Sequence, residues 1–298
     1  MLFRTIVLAG LLLVNTGTLL FAADSAAPAA PADTVQPAVT TPEQPAAPAD
    51  TTQPPAQEEA VSEGPTMKRI MEVKKIVVGL EPNYPPFEFK PTIRKIEGFD
   101  IDVASYIAKS LGIKLEIKEI AWDDLIPTLE SDKIDVIISG MTKTPARANK
   151  VYFSDPYFST GQVVVLNRKR KNIKSLTELN MPSTKIGVQK GTTGEQAAKD
   201  NFPKAKIKSY DDIYACQNDL INNKIDALVY DKPLVVEFIG VLQEKIFMPF
   251  EPFTTEEYCF AVNKGNIDFI KKLNEIIKEI KTNGTYDQIF KKWFSRNE

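Results

Sequence analysis

Asp135-Val136-Ile137-Ile138-Ser139-Gly140-Met141-Thr142-Lys143-Thr144-Pro145-Ala146-Arg147 is the stretch on which the fold turns. Its first part is a short apolar run, as a strand buried on both faces carries. It then becomes polar. Ser139, Gly140 and Thr142 follow the strand, and Thr144-Pro145-Ala146-Arg147 reads as a helix start with a cap residue, proline at the first helical position and arginine in the first turn. In open α/β sheets ligands bind outside the carboxyl ends of the strands, so a buried strand ending in polar groups points to a site. The alternation continues outward. Upstream lie the strand Ile76–Leu80, a helix at 101–111 stopped by Gly112, the half-buried strand around Leu115 and Ile117, and a short helix at Leu125–Leu129 capped by Asp123. Downstream, strands at 185–188, 205–209 and 226–230 alternate with helices at 193–200, at 211–222 and from Pro233. A final helix at 266–282 stripes Phe269, Ile270, Leu273, Ile276, Ile277 and Ile280 on one face. Strand, helix, strand in this order predicts a parallel α/β sheet, and two such series predict two lobes.

Composition narrows the chemistry. The 298 residues are 43% hydrophobic and 26% charged, with a formal net charge of −2. There is no histidine, which excludes Ser-His-Asp and Cys-His catalysis, His-ligated zinc and imidazole switching. Two cysteines, Cys216 and Cys259, exclude a disulfide framework and a Cys-rich metal site. The near-neutral charge argues against nucleic acid as a partner. Residues 1–23 read as an export signal: Arg4, the apolar run Ile6–Val14, then Ala22-Ala23. An uncleaved N-terminal anchor is the competing reading. Residues 24–66 hold nine prolines, seven acidic residues, no base and no aromatic, the composition of an extended tether. The body from 67 onward is therefore modestly cationic.

Four strand ends carry groups able to hold a ligand: Glu81; Ser139, Gly140 and Thr142; Gln189 with Gly191-Thr192-Thr193; and Asp231. Arg147 has a fork that suits a carboxylate, and the free amides and hydroxyls at Gly191-Thr192-Thr193-Gly194 form a second anion site. Asp231 either caps the next helix or takes an ammonium. Tyr84 and Trp122 either flank a ligand or pack. Taken together these are the two ends of a clamp for a zwitterion.

The body resembles the polar amino-acid solute-binding proteins of ABC importers. The resemblance rests on Asn83-Tyr84-Pro85-Pro86-Phe87-Glu88-Phe89, Gly98-Phe99-Asp100-Ile101-Asp102, Trp122 with Leu125-Ile126-Pro127, Asp135–Thr142 with Thr144 and Arg147, Gly187-Val188-Gln189-Lys190-Gly191-Thr192-Thr193, Asp231, and Lys291-Lys292-Trp293-Phe294. It implies a two-lobe periplasmic-binding-protein fold with two crossover hinge strands, lobe 1 at 70–162 plus 257–298 and lobe 2 at 163–256. It further implies that Arg147 and Thr142 grip an α-carboxylate with backbone groups of Gly140 and Thr193. Asp231 and Ser139 take the α-ammonium, Tyr84 and Trp122 sandwich the side chain, and Glu81 meets its far end. Gln189 and Thr192 belong with the arginine-binding branch. Asp100 and Asp102 read as lobe framework.

The expected guest is a free L-amino acid: arginine first, then lysine or ornithine, then histidine or glutamine. The expected partner is an ABC permease and ATPase complex, with a monomeric periplasmic protein and no cofactor or metal. Two other functions compete: an enzyme on the same fold, resembling cyclohexadienyl dehydratase, and a ligand-sensing ectodomain. Cys216 and Cys259 fall in different places, one in a lobe-2 helix and one on the return to lobe 1, and are expected as free thiols.

Overall fold

The computed structural model describes residues 64–295. The signal at 1–23 and all of the tether but its last three residues lie outside the described residues. Helix α1 (Pro65–Val73) begins within those three, with Pro65 at its first position.

Two five-stranded sheets organise the body. The first runs β5 (Lys114–Glu119), β1 (Lys75–Leu80), β6 (Val136–Ile137), β15 (Ala261–Asn263), β7 (Val151–Phe153). The second runs β11 (Lys206–Tyr210), β10 (Lys185–Gln189), β12 (Ala227–Asp231), β9 (Gln162–Asn167), β13 (Ile246–Phe247). A hairpin-like sheet of β2 (Asn83–Tyr84), β3 (Glu88–Thr92) and β4 (Lys95–Glu97) adjoins the first. The chain passes between the two large sheets twice, and the crossing segments pair antiparallel as β8 (Phe158–Thr160) with β14 (Glu256–Tyr258).

The sheets are mixed rather than parallel. β1 pairs parallel with β5 and β6, and β10 with β11 and β12. β9, β13 and β15 run antiparallel to their neighbours. The cause is the crossover. A chain that enters the second sheet from the cleft must run away from it, against strands that point toward it. β9 is buried along its whole length, which its Val163-Val164-Val165-Leu166 core requires.

Both faces of each sheet are covered. On the first, α2 (Phe99–Leu111), α8 (Ile267–Thr282) and α9 (Thr285–Phe294) bury Val103, Ile107, Phe269, Leu273 and Trp293 on one side. α3 (Leu125–Glu130) buries Leu125 and Leu129 against Ile137 and Met141 on the other, and α4 (Pro145–Ala148) is a single turn beside it. On the second, α6 (Ile213–Ile221) and α7 (Lys232–Leu242) cover one face. α5 (Thr193–Asn201) covers the other with Ala198 and Phe202 on Val164, Ile186 and Val188. Each fully buried aliphatic side chain contributes roughly 1.5–3 kcal/mol. Gly112 ends α2 at φ 65°, donating to the carbonyls of Ala108 and Lys109. Cys216 and Cys259 are both buried and free. Among the described residues no helix is long and apolar enough to cross a membrane.

Candidate functional site

The parallel strands of both sheets aim their carboxyl ends at one cleft, and the loops that follow them meet across it. The Trp122 indole N–H donates to the Gly191 carbonyl (3.1 Å), Gln189 Nε2 to Glu81 Oε2 (3.0 Å) and Asn83 Nδ2 to Asp212 Oδ2 (3.3 Å). Lys190 pairs with Asp123 at 2.9 Å. Asp123 is thus a partner across the cleft, and α3 has no side-chain cap. These contacts close over a cavity between the strand ends. It is lined by Glu81, Tyr84, Trp122, Ser139, Gly140 and Thr142, and by Arg147, Thr192, Thr193 and Asp231, together with Glu88 and Tyr230.

Arg147 sits in the one-turn helix α4. Pro145 opens it and Thr144 caps it, accepting from the Arg147 N–H (3.3 Å). Its guanidinium donates to the carbonyls of Thr142 (2.8 Å) and Gly191 (3.2 Å) and lies 5.1 Å from the Trp122 ring centroid. Two of its five N–H donors are used in this way, and the others remain for the cavity. Burial pulls its pKa down, while Glu256 and Asp231 oppose the shift.

Opposite stands Asp231, the residue before α7. It makes no side-chain cap to that helix. Oδ1 instead accepts from the Tyr258 hydroxyl (2.6 Å) and from Gln162 Nε2 (3.0 Å), and Oδ2 accepts from no other described residue. Tyr84 donates in turn to the Tyr258 oxygen. Burial and then the charge of Glu256 push the Asp231 carboxyl up to about 7, although Tyr258 and Arg147 pull it back. At neutral pH the group is poised between its two states.

The far wall is acidic. The Glu81 carboxyl is raised chiefly by burial, and the hydrogen bond from Gln189 moderates the shift. Glu88, fully buried, accepts from Ser139 Oγ (2.6 Å), and the same Oγ accepts from the Glu81 N–H (3.1 Å). Glu88 and Asp100 are a buried carboxyl pair. Asp100 Oδ2 accepts from the Gly140 N–H (2.9 Å) and the Tyr157 hydroxyl (2.8 Å), which favours its ionised form. Burial lifts both carboxyls, Asp100 to about 6 against those hydrogen bonds and Glu88 well above the usual range with the Asp100 charge adding to it, so Glu88 is the more readily protonated of the two.

Several expectations are corrected in detail. Gln189 lies one layer behind the wall, where its amide supports Glu81 and its carbonyl oxygen accepts from the Tyr230 hydroxyl (2.9 Å). The Gly140 N–H is taken by Asp100. The glycine itself is needed, with φ 51° and a Cβ that would meet Tyr84 at 2.5 Å. The Thr142 and Thr193 hydroxyls both donate to Glu256 Oε2, at 2.6 and 2.7 Å. The Gly191 N–H donates to Glu195 (2.8 Å), so that amide of the turn before α5 is satisfied within the chain. Asp100 and Asp102 are off the cavity wall; Asp102 accepts from Lys292 and from the Trp293 indole. Glu88 and Tyr230 were not anticipated. The only sequence signal for either is the place of Glu88 inside Pro85-Pro86-Phe87-Glu88-Phe89.

The chain is similar in sequence and fold to known amino-acid-binding proteins. The chain is 32% identical over 229 residues to the L-cystine-binding protein TcyJ of Escherichia coli, covering 76% of this chain and 85% of the relative. An ancestral arginine-binding protein solved with arginine is 41% identical, with a TM-score of 0.69 over 74% of this chain and 98% of the other. An ABC-transporter binding component from Wolinella succinogenes complexed with lysine is 36% identical, with a TM-score of 0.72 over 75% and 97%. Residues 76–296 match the family model throughout, and the chain belongs to the bacterial extracellular solute-binding proteins, family 3.

Proposed function

We propose that this protein captures one polar L-amino acid with a cationic side chain by closing two lobes over it, and delivers it to an ABC permease and ATPase complex. Arginine is the first choice, then lysine or ornithine, then histidine or glutamine. The supporting observation is the charge layout of the cavity: one cation, Arg147, faces the carboxyls of Asp231 and Glu81. Arg147 takes the α-carboxylate with backbone groups around Thr142 and Thr193. Asp231 takes the α-ammonium through Oδ2, with Ser139 beside it. Tyr84 and Trp122 flank the side chain, Glu81 meets its end, Thr192 lines the cavity, and Gln189 holds the Glu81 wall from behind. An excess of carboxyl groups is balanced by a second positive charge on the guest, and a guanidinium lies flat against aromatic rings. An acidic guest meets Glu81 and is disfavoured. Two charge-assisted anchors at ~1.5–3 kcal/mol each, with stacking, approach the roughly 8 kcal/mol of micromolar binding before ordering costs.

Residues 70–162 with 257–298 and residues 163–256 are the bodies that move in this reading. The protein is monomeric and exported to the periplasm. Calorimetry against a panel of free amino acids tests it. Binding of a basic amino acid, abolished by Arg147→Ala and weakened at least about tenfold by Glu81→Gln, is the expected result. An affinity untouched by Arg147→Ala removes the carboxylate assignment, and a panel without any binder removes the function. One observation favours an enzyme on the same fold: Glu88 is a buried neutral carboxyl at the cavity wall, a proton donor in waiting. Turnover of prephenate or arogenate, with no amino acid retained, selects that reading.

A further inference from the structure

The end of the second lobe that faces away from the cleft is a basic surface, and we infer that it docks on an anionic lipid bilayer. β9 starts beside Asp231 and ends at Asn167, while β10 and β11 start side by side at Lys185 and Lys206. The turns at this far end therefore gather there. Between Asn167 and Lys185 the chain carries Arg168, Lys169, Arg170, Lys171, Lys174 and Lys185 against Glu178 alone. Lys204, Lys206, Lys224 and Lys245 join them from neighbouring turns, and all ten residues are exposed.

The acids at this end do not cancel the field. Asp226 pairs with Arg170 and accepts from the Lys185 N–H (2.9 Å), Asp219 pairs with Lys224 (3.0 Å), and Glu178 accepts from the Lys174 N–H (3.1 Å), which leaves the other bases in excess. Glu244 is exposed beside Lys245. The turns are bonded to one another, Arg168 N–H to the Lys245 carbonyl and Lys206 N–H to the Thr184 carbonyl, both at 2.8 Å. The charges thus stand on a fixed surface.

Two apolar side chains stand among the bases. Met181, before β10, is 52% exposed, and Val241, in the last turn of α7, is 83% exposed. A single exposed apolar residue is ordinary. Set in a basic field, they fit a bilayer better than a soluble polyanion, because phosphate headgroups satisfy the bases while the apolar side chains enter the layer beneath. Such docking holds one lobe only and leaves the cleft clear, so closure proceeds on the surface.

Sedimentation of the full chain with vesicles tests this. Phosphatidylglycerol vesicles retain the protein and phosphatidylcholine vesicles do not, and retention falls as salt rises. The triple variant Lys169→Glu, Lys171→Glu, Lys174→Glu loses at least roughly 100-fold in partitioning, at about fivefold per base removed. Its thermal melting and its amino-acid affinity are unchanged, since none of the three approaches the cavity. Met181→Ser with Val241→Ser also loses retention. Equal retention on both vesicles, or a triple variant that sediments like the parent, overturns the proposal. Binding of soluble polyphosphate without vesicle binding, or no loss in the Met181 and Val241 variant, overturns the lipid assignment.

Discussion

Burial pushes the Asp231 carboxyl up to about 7, which makes ligand capture proton-linked if this group takes the ammonium. An ammonium stabilises the ionised form, so the group titrates lower in the complex than in the free protein. Below about pH 7 a proton must leave before the guest is held, and affinity falls by up to about tenfold per pH unit; above it the dependence flattens. Calorimetry between about pH 5 and 8 checks this, and a flat profile removes Asp231 from the role. Glu256→Gln takes away the neighbouring charge that helps lift Asp231, and the break in the profile then moves to lower pH. Arg147 and Asp231 were legible because each follows a strand end and begins a helix. Glu88 and Tyr230 were not. Glu88 reaches the cavity because β3 folds back on β2 and pairs it with Tyr84, and a tyrosine inside Ala227-Leu228-Val229-Tyr230 reads as core. Nor could spacing show that Thr142 and Thr193 spend their hydroxyls on Glu256, which lies 114 and 63 residues away.

Among the elements, the crossing strands are where sequence said least and geometry is tightest. β8 and β14 are three residues each, without the alternation or apolar run that marks a strand. Gly161 joins β8 to β9, and a Cβ there would lie 2.1 Å from the Thr254 carbonyl oxygen. Gly161→Ala therefore forces the two crossings apart and destabilises the fold by ~1–3 kcal/mol, read as a lowered melting temperature. An unchanged melting curve shows that the crossings yield at no cost. The long helices are the opposite case. The stripe on α8 was plain in the sequence and is buried from Phe269 to Ile280, except that Ile270 is only half-buried. Leu273→Ala, fully buried, costs ~2–5 kcal/mol in chemical denaturation.

At the scale of the whole molecule, the proposed closure has a reporter at the cleft. The chain has two tryptophans. Trp122 donates its indole N–H across the cleft to Gly191 and stacks on Arg147, whereas Trp293 is bound to Asp102 within the first lobe. A ligand that shifts the population between open and closed forms should change Trp122 fluorescence and leave Trp293 silent. The ligand response is expected to survive Trp293→Phe and vanish in Trp122→Phe; the reverse pattern excludes Trp122 as the sensor of closure. Two lobes were readable from two strand-helix series, but mixed sheet directions were not, because they follow from where the chain crosses and not from any local pattern. Gln162 sits at that crossing, directly after Gly161, with its amide on Asp231, Thr193 and Glu256 at once. In the proposed reading, in which Asp231 holds the guest's ammonium, bending the backbone at Gly161 is expected to draw the Gln162 amide off the aspartate, so that parting the jaws and loosening that hold would occur together.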